Sequence, residues 1–324
     1  MSRQLLFQKK VADELGDVST LLQKIAKSGP EKRFIDILEY VLVKEGKRLR
    51  PTLFFMILKA ENAKITSTEI RIASAIELIH IASLIHDDMI DESSFRRGIP
   101  ASHQKFGKKN SIMLGDFLVA QAFNILSDTR SIYMKKTTAA LMQLCQGQIR
   151  QNLTRGELEL SENDYMEIIT EKTASLFRLA AELAEILSGS QISWKDFGQE
   201  LGIAYQIADD ITDIMIKDDP EDIKLKEMTL PLIMLRKKTD AKEFEKLLEI
   251  SRIEELRKSM IKLGIRKEIT EIIEAHLESA RSAIEKVEDN DDKTGFIQMI
   301  EIIRDKVKAC DPKTKEDKSR GEKK

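Results

Sequence analysis

Cysteine is nearly absent: Cys145 and Cys310 are the only 2 in 324 residues. Thiols so far apart make a poor disulfide framework, so a reducing cytoplasm is the expected setting. Proline and glycine are also scarce, at 6 and 14 residues, and no Pro-, Gly- or Ser-rich linker interrupts the chain. One large domain with a sizeable core, residues 1–310, is therefore expected rather than a string of small ones. No apolar run reaches the roughly 18 residues of a membrane-spanning helix. Met1-Ser2-Arg3-Gln4 leads into mixed polar sequence, not into the apolar core of a signal peptide. Neither sign of charge dominates. With 53 Lys+Arg against 55 Asp+Glu the formal net charge is −2, which argues against general nucleic-acid affinity.

What is present is helix-forming. Lys, Glu, Leu, Ile and Ala dominate, and charged residues make up 33%. Apolar and charged residues recur at helical spacing from Val11 to Ala26 and from Phe34 to Lys44. Pro51 opens an apolar stretch at a position where a first-turn proline is tolerated. Ser67 is a candidate cap for a helix starting near Thr68. From Ile70 to Met89 apolar residues cover nearly every face, as in a core helix. Phe197 to Ile216 repeats that pattern, and Gly115–Leu126 and Tyr165–Leu187 are strongly apolar and helical. Strand-like alternation is hard to find, so the expected class is all-α. Residues 311–324 lack apolar side chains and read as a disordered charged tail.

The two core helices end in matching clusters. Asp87, Asp88 and Asp91 close the first, and Asp209, Asp210 and Asp213 the second. Positions i and i+4 share a helix face, which pairs Asp87 with Asp91 and Asp209 with Asp213. Carboxylates crowded beside apolar sequence need positive charge, and hard oxygen donors suit magnesium whose shell is completed by substrate phosphates. One Asp-Asp-x-x-Asp is weak evidence; two, each ending an apolar helix, are strong. Cations stand nearby in sequence, in Gly46-Lys47-Arg48-Leu49-Arg50-Pro51 and in Arg96-Arg97-Gly98. Guanidinium forks match phosphate oxygens and lysine adds a mobile point charge. Glu77 and His80 form a Glu-x-x-His pair, but a di-iron bundle needs a second such pair, and His86, His103 and His276 supply none. His80 reads better as a hydrogen-bond donor to phosphate, and His86 as a support for the aspartates.

Together these residues resemble the trans-polyprenyl diphosphate synthase family, from about Gly46 to Leu235. The stretches that carry the resemblance are Gly46–Pro51, Glu77-Leu-Ile-His80, Leu84-Ile-His-Asp87-Asp88-Met-Ile-Asp91 and Arg96-Arg97-Gly98-Ile-Pro-Ala101. His103, Phe106-Gly107, Gly115-Asp116, Lys172-Thr173, Tyr205-Gln206-Ile-Ala-Asp209-Asp210-Ile-Thr-Asp213 and Thr229-Leu230-Pro231-Leu232 follow in order.

The resemblance implies an isoprenoid-synthase-type bundle of about ten core helices around a deep cavity, usually a homodimer. It implies Mg2+ on Asp87, Asp91, Asp209 and Asp213. Arg96, Lys172, Thr173 and Gln206 would meet the allylic diphosphate, the last three also serving catalysis. Lys47, Arg50, His80 and Arg97 would hold isopentenyl diphosphate. The implied reaction is head-to-tail condensation through an allylic carbocation, with a product longer than about twenty carbons because Ser83 and Ala82, about one turn deeper than Asp87, are small. Transient membrane contact would accompany product release.

One stretch departs from the family pattern. Ile214–Met228 is short, and Lys226-Glu227 stands where a Gly-Lys element is expected. Lys224 or Lys226 is the nearest replacement. The departure also raises an alternative, a non-catalytic or regulatory subunit of a heteromeric synthase. A terpene cyclase would share the metal logic but would not need Lys47, Arg50 and Arg97 for a second diphosphate.

Overall fold

Helix formers run almost unbroken through this chain, and its backbone follows them. The computed structural model describes residues 6–43, 46–287 and 291–310; the tail expected at 311–324 lies outside these. The helices are α1 (Leu6–Lys9), α2 (Ala12–Lys27), α3 (Lys32–Leu42), α4 (Leu49–Ala60) and α5 (Ser67–Ile90). After them come α6 (Ser102–Phe106), α7 (Lys108–Ser127), α8 (Ser131–Leu153), α9 (Glu162–Ile169), α10 (Ser175–Ser188) and α11 (Trp194–Ile216). The rest are α12 (Glu221–Leu225), α13 (Leu230–Lys238), α14 (Ala241–Leu247), α15 (Ile253–Lys262), α16 (Ile265–Ala283) and α17 (Asp291–Lys308). Between α5 and α6 lies a two-stranded antiparallel ribbon, β1 (Phe95–Arg96) with β2 (Ile99–Pro100). Its loop residues Arg97 and Gly98 have φ of 53° and 74°. Positive φ at both central positions is the hairpin turn whose twist suits antiparallel strands, and glycine adopts it without strain.

The described residues form two compact units, 6–141 with 179–195, and 142–178 with 196–310. In the first unit α5 packs on α7, α2 and α4. Ile72, Ile76, Leu78 and Ile79 of α5 and Phe54 and Phe55 of α4 are all fully buried. Each such side chain contributes about 1.5–3 kcal/mol through the water it leaves. The α5 start lies one residue earlier than the sequence suggested. Thr66, not Ser67, is the cap, because its Oγ1 accepts from Thr68 N at 3.2 Å while Glu69 Oε2 accepts from Thr66 N at 2.7 Å. That reciprocal pair satisfies donors the helix start would otherwise strand.

In the second unit α13, α15 and α17 pack around α16. The expected helix Tyr165–Leu187 is interrupted here by a π-helical turn, Thr170–Ala174. Two glycines admit it. A Cβ on Gly147 would come 2.5 Å from Lys172 N, and one on Gly202 2.8 Å from Ala174 Cα. Backbone thus approaches where side chains would block it, at a turn type common in functional sites.

Candidate active site

In the first unit the end of α5 carries Asp87, Asp88 and Asp91. Asp88 is buried, and its Oδ1 accepts from Arg96 Nε at 2.6 Å and from Arg96 Nη2. Asp87 and Asp91, one turn apart, keep partial exposure. The β1–β2 ribbon brings Arg96 back onto α5, and its turn carries Arg97 toward the loop before α4. A Cβ on Gly46 would lie 2.5 Å from Arg97 Nη1, so the guanidinium rests directly against this glycine. Arg48 adopts a left-handed φ of 44° ahead of α4 and donates from Nη1 to Leu15 O at 3.1 Å. Lys47, on the same loop, is exposed.

Beneath this basic loop sit Glu77 and His80. Glu77 is buried, its Oε2 has no hydrogen-bond partner, and burial pushes its carboxyl up against the opposing pull of Arg50, Arg48 and Arg97. Burial, with Arg50, Arg97 and Arg96 adding to it, holds His80 well below the usual imidazole range. His80 is thus a neutral N–H donor near neutral pH. Arg50 and Arg97 thus act electrostatically on both Glu77 and His80. His86, expected to support the aspartates, lies against Gly115, with Nε2 3.2 Å from Ile112 O and 3.8 Å from Asp116 Oδ1.

In the second unit Asp209, Asp210 and Asp213 end α11. The middle residue is again buried, but its donors are neutral. Tyr165 Oη donates to Asp210 Oδ2 at 2.6 Å and Gln206 Nε2 to Oδ1 at 2.7 Å. Burial outweighs these bonds, and Asp213 and Glu227 add repulsion, so Asp210 is pushed up to about 7. Thr173 Oγ1 donates to Gln206 Oε1 at 2.7 Å, extending the chain into the π turn. Lys172 Nζ donates to Gln151 Oε1 at 2.7 Å. Gln151 Nε2 in turn donates to Glu227 Oε2 at 2.5 Å, and Arg155 pairs with the other oxygen of Glu227. Asp213 Oδ2 is 2.7 Å from Lys217 Nζ, and Asp209 pairs with Lys306.

Lys224 pairs with Asp219, and Lys226 is exposed with a φ of 53°, the backbone region glycine favours. Glu227, buried at the next position, presents an acid in place of a base. Nothing in the sequence singles out Gln151, Arg155, Tyr165 or Lys306. None belongs to a local motif, and only the fold sets them beside one that does.

Among the described residues no group of three or more His, Cys, Asp or Glu side chains closes into a metal cage. The donor set still fits magnesium. Each cluster offers two partly exposed carboxylates one turn apart, and magnesium binds through one or two carboxylates while water and phosphate fill its shell. No helix among the described residues is long and apolar enough to cross a membrane.

An all-α fold in which two such helix-terminal carboxylate pairs stand among Arg, Lys and neutral donors defines a prenyltransferase that handles diphosphates. The family model described as "Polyprenyl synthetase" matches residues 31–264, and the chain belongs to that family. It is 36% identical over 236 residues to a prenyl transferase of Cyanophora paradoxa, covering 69% of this chain and 73% of that one. To a prenyl transferase of Cyanidium caldarium it is 32% identical over 282 residues, covering 81% and 86%. Its fold matches the crystal structure of a decaprenyl diphosphate synthase from Rhodobacter capsulatus with a TM-score of 0.86. That match covers 95% of this chain and 99% of the other at 25% identity. The chain is a trans-isoprenyl diphosphate synthase that condenses prenyl diphosphates, and the regulatory-subunit alternative is not favoured.

Proposed function

We propose that this enzyme lengthens an allylic prenyl diphosphate head to tail with isopentenyl units, in a magnesium-dependent reaction, to a product longer than about twenty carbons. The observation that carries this reading is shared by both aspartate clusters. Each ties its middle aspartate into the protein and leaves the outer two partly exposed on one helix face. Asp87, Asp91, Asp209 and Asp213 would hold Mg2+, which would supply positive charge against the departing diphosphate.

The protein's own groups do the rest. Arg96 and Lys172 take oxygens of the allylic diphosphate, while Lys47, Arg50, Arg97 and neutral His80 hold isopentenyl diphosphate. The allylic C–O bond breaks, and its electron pair leaves with the diphosphate. The double bond of the isopentenyl unit then supplies the pair for the new C–C bond, and the released proton goes to the departed diphosphate. Thr173 spends its hydroxyl hydrogen on Gln206. Its oxygen lone pairs are thereby available to the allylic cation, a preorganised dipole of the kind that stabilises developing charge.

Product length is read at α5. Ser83 turns its Oγ back to His80 O at 2.9 Å, and Ala82 is small, so neither narrows the path that a growing tail takes from Asp87. Residues 1–310 act as one catalytic domain. A homodimer working in the cytoplasm, with transient membrane contact as product leaves, completes the proposal. The test is incubation of purified protein with isopentenyl and farnesyl diphosphates, with and without magnesium, followed by product analysis. Chains beyond twenty carbons formed only with the metal are expected. A product that stops at about fifteen carbons defeats the open-path argument.

A further inference from the structure

The second carboxylate cluster is crowded with acids. Asp213 and Glu227 act electrostatically on both Asp210 and Asp222, Asp210 acts on Asp222, and Asp209 is the chain neighbour of Asp210. Arg155 answers Glu227 and Lys217 answers Asp213. The cation on Asp209 comes from elsewhere, from Lys306 near the end of α17.

That helix is registered against α11 at three levels. Phe296 packs edge-on to Phe197 with ring centroids 5.5 Å apart. Lys306 reaches Asp209 and lies 5.4 Å from the centre of the Tyr205 ring. Cys310 Sγ contacts Thr212 Oγ1 at 3.5 Å. The two outer contacts are separated by similar numbers of residues on both helices, about 21–23 Å of helix at 1.5 Å per residue. The helices therefore run parallel and in step, and the position of Lys306 is set by packing on either side of it. Its ammonium lies between an aromatic face and a carboxylate, with 30% of its side chain exposed.

We propose that Lys306 is a diphosphate-binding residue that Asp209 holds in place until a metal arrives. This rests on the reading of Asp209 as a magnesium ligand. An ammonium cannot share a carboxylate with a divalent cation at no cost, so metal on Asp209 displaces Lys306. The ring of Tyr205 keeps the displaced cation at the site through cation–π attraction. Its three N–H donors then face the oxygens of the diphosphate that the metal brings in. The positive charge missing from Lys226-Glu227 is supplied in this way from the C-terminal helix.

Binding measurements without turnover test this on the full chain. Mn2+ binding is followed by electron paramagnetic resonance, and inorganic pyrophosphate binding at saturating Mn2+ by calorimetry. The variants are Asp209→Asn, Lys306→Met and Lys306→Arg, with circular dichroism as the fold control. Without pyrophosphate, Lys306→Met should bind Mn2+ about two- to fivefold more tightly, since a competing partner of modest strength is gone. With Mn2+ present it should bind pyrophosphate about tenfold more weakly, a loss typical of one charged hydrogen bond, and Lys306→Arg should recover most of it. Unchanged pyrophosphate affinity in Lys306→Met overturns the role of Lys306 and leaves the proposed function standing. An Asp209→Asn protein that binds Mn2+ and pyrophosphate like wild type overturns the metal reading of Asp209, and this inference with it.

Discussion

The same five-residue pattern, Asp-Asp-x-x-Asp, ends α5 and α11, and the two units treat it in opposite ways. At α5 the buried middle carboxylate of Asp88 meets the guanidinium of Arg96. At α11 the buried Asp210 meets only the neutral Tyr165 and Gln206, with Asp213 and Glu227 pressing on it. The same helix carries Glu77 under the pull of Arg50, Arg48 and Arg97, whereas the second cluster is a nest of acids in which lysines occupy the outer carboxylates. A motif thus specifies which atoms lie on one helix face, while the neighbouring elements decide their charge. At α5 an arginine answers the middle carboxylate, and at α11 lysines answer the outer ones.

The largest effect expected falls on the outer ligands, where the two clusters should agree. Asp87→Ala removes a carboxylate that holds charge at the leaving group, and turnover should drop by about a thousandfold or more with the helical circular dichroism intact. Near-normal turnover would take Asp87 out of the mechanism. Next come the adjacent arginines, Arg97 lying against Gly46 and Arg96 against Asp88. Arg97→Ala should raise the KM for isopentenyl diphosphate by about tenfold or more, and Arg96→Ala that for the allylic substrate. Equal changes in both Michaelis constants would end that division.

The sharpest contrast concerns the middle aspartates. Asp88→Asn discharges one half of a buried pair and should cost about 1–3 kcal/mol in urea unfolding at neutral pH. Asp210→Asn, in magnesium-free buffer at pH 8, should cost less, because the wild-type carboxylate is unfavourable there. The sign follows from linkage. The Asp210 carboxyl titrates near 7 in the fold against an ordinary 3.8, so its protonated form is the stabilised one. Wild type should lose stability relative to Asp210→Asn as pH rises from about 4 to about 7, then hold level. A difference that does not change with pH would remove the contrast between the clusters. The smallest effect should come from Lys224→Ala with Lys226→Ala. One lysine pairs with Asp219 and the other is exposed, so turnover at saturating substrates should stay within about twofold. A larger loss would return the closing charge to that loop.

Much of this could be read from residues in order. All-round apolarity marked α5 and α11 as core helices, and i, i+4 spacing paired Asp87 with Asp91 and Asp209 with Asp213. Both are properties of a local repeat, and a helix converts sequence spacing directly into shared faces. The helix through Lys172 and Thr173 was legible, but not its π turn, which depends on Gly147 and Gly202 in other helices leaving room for its backbone. Only the tertiary structure could assign the partners. Tyr165 and Asp210 are 45 positions apart, Gln151 and Glu227 76, so nothing in the spacing links them. The pairing of Asp209 with Lys306 arises in the same way, from α17 packing in register on α11. The chain by itself determined its helical class and its two carboxylate pairs, because these follow from side-chain type and periodicity. The charge state of each cluster was left to packing, because burial and opposing charge act through space between segments that meet only once the chain has folded.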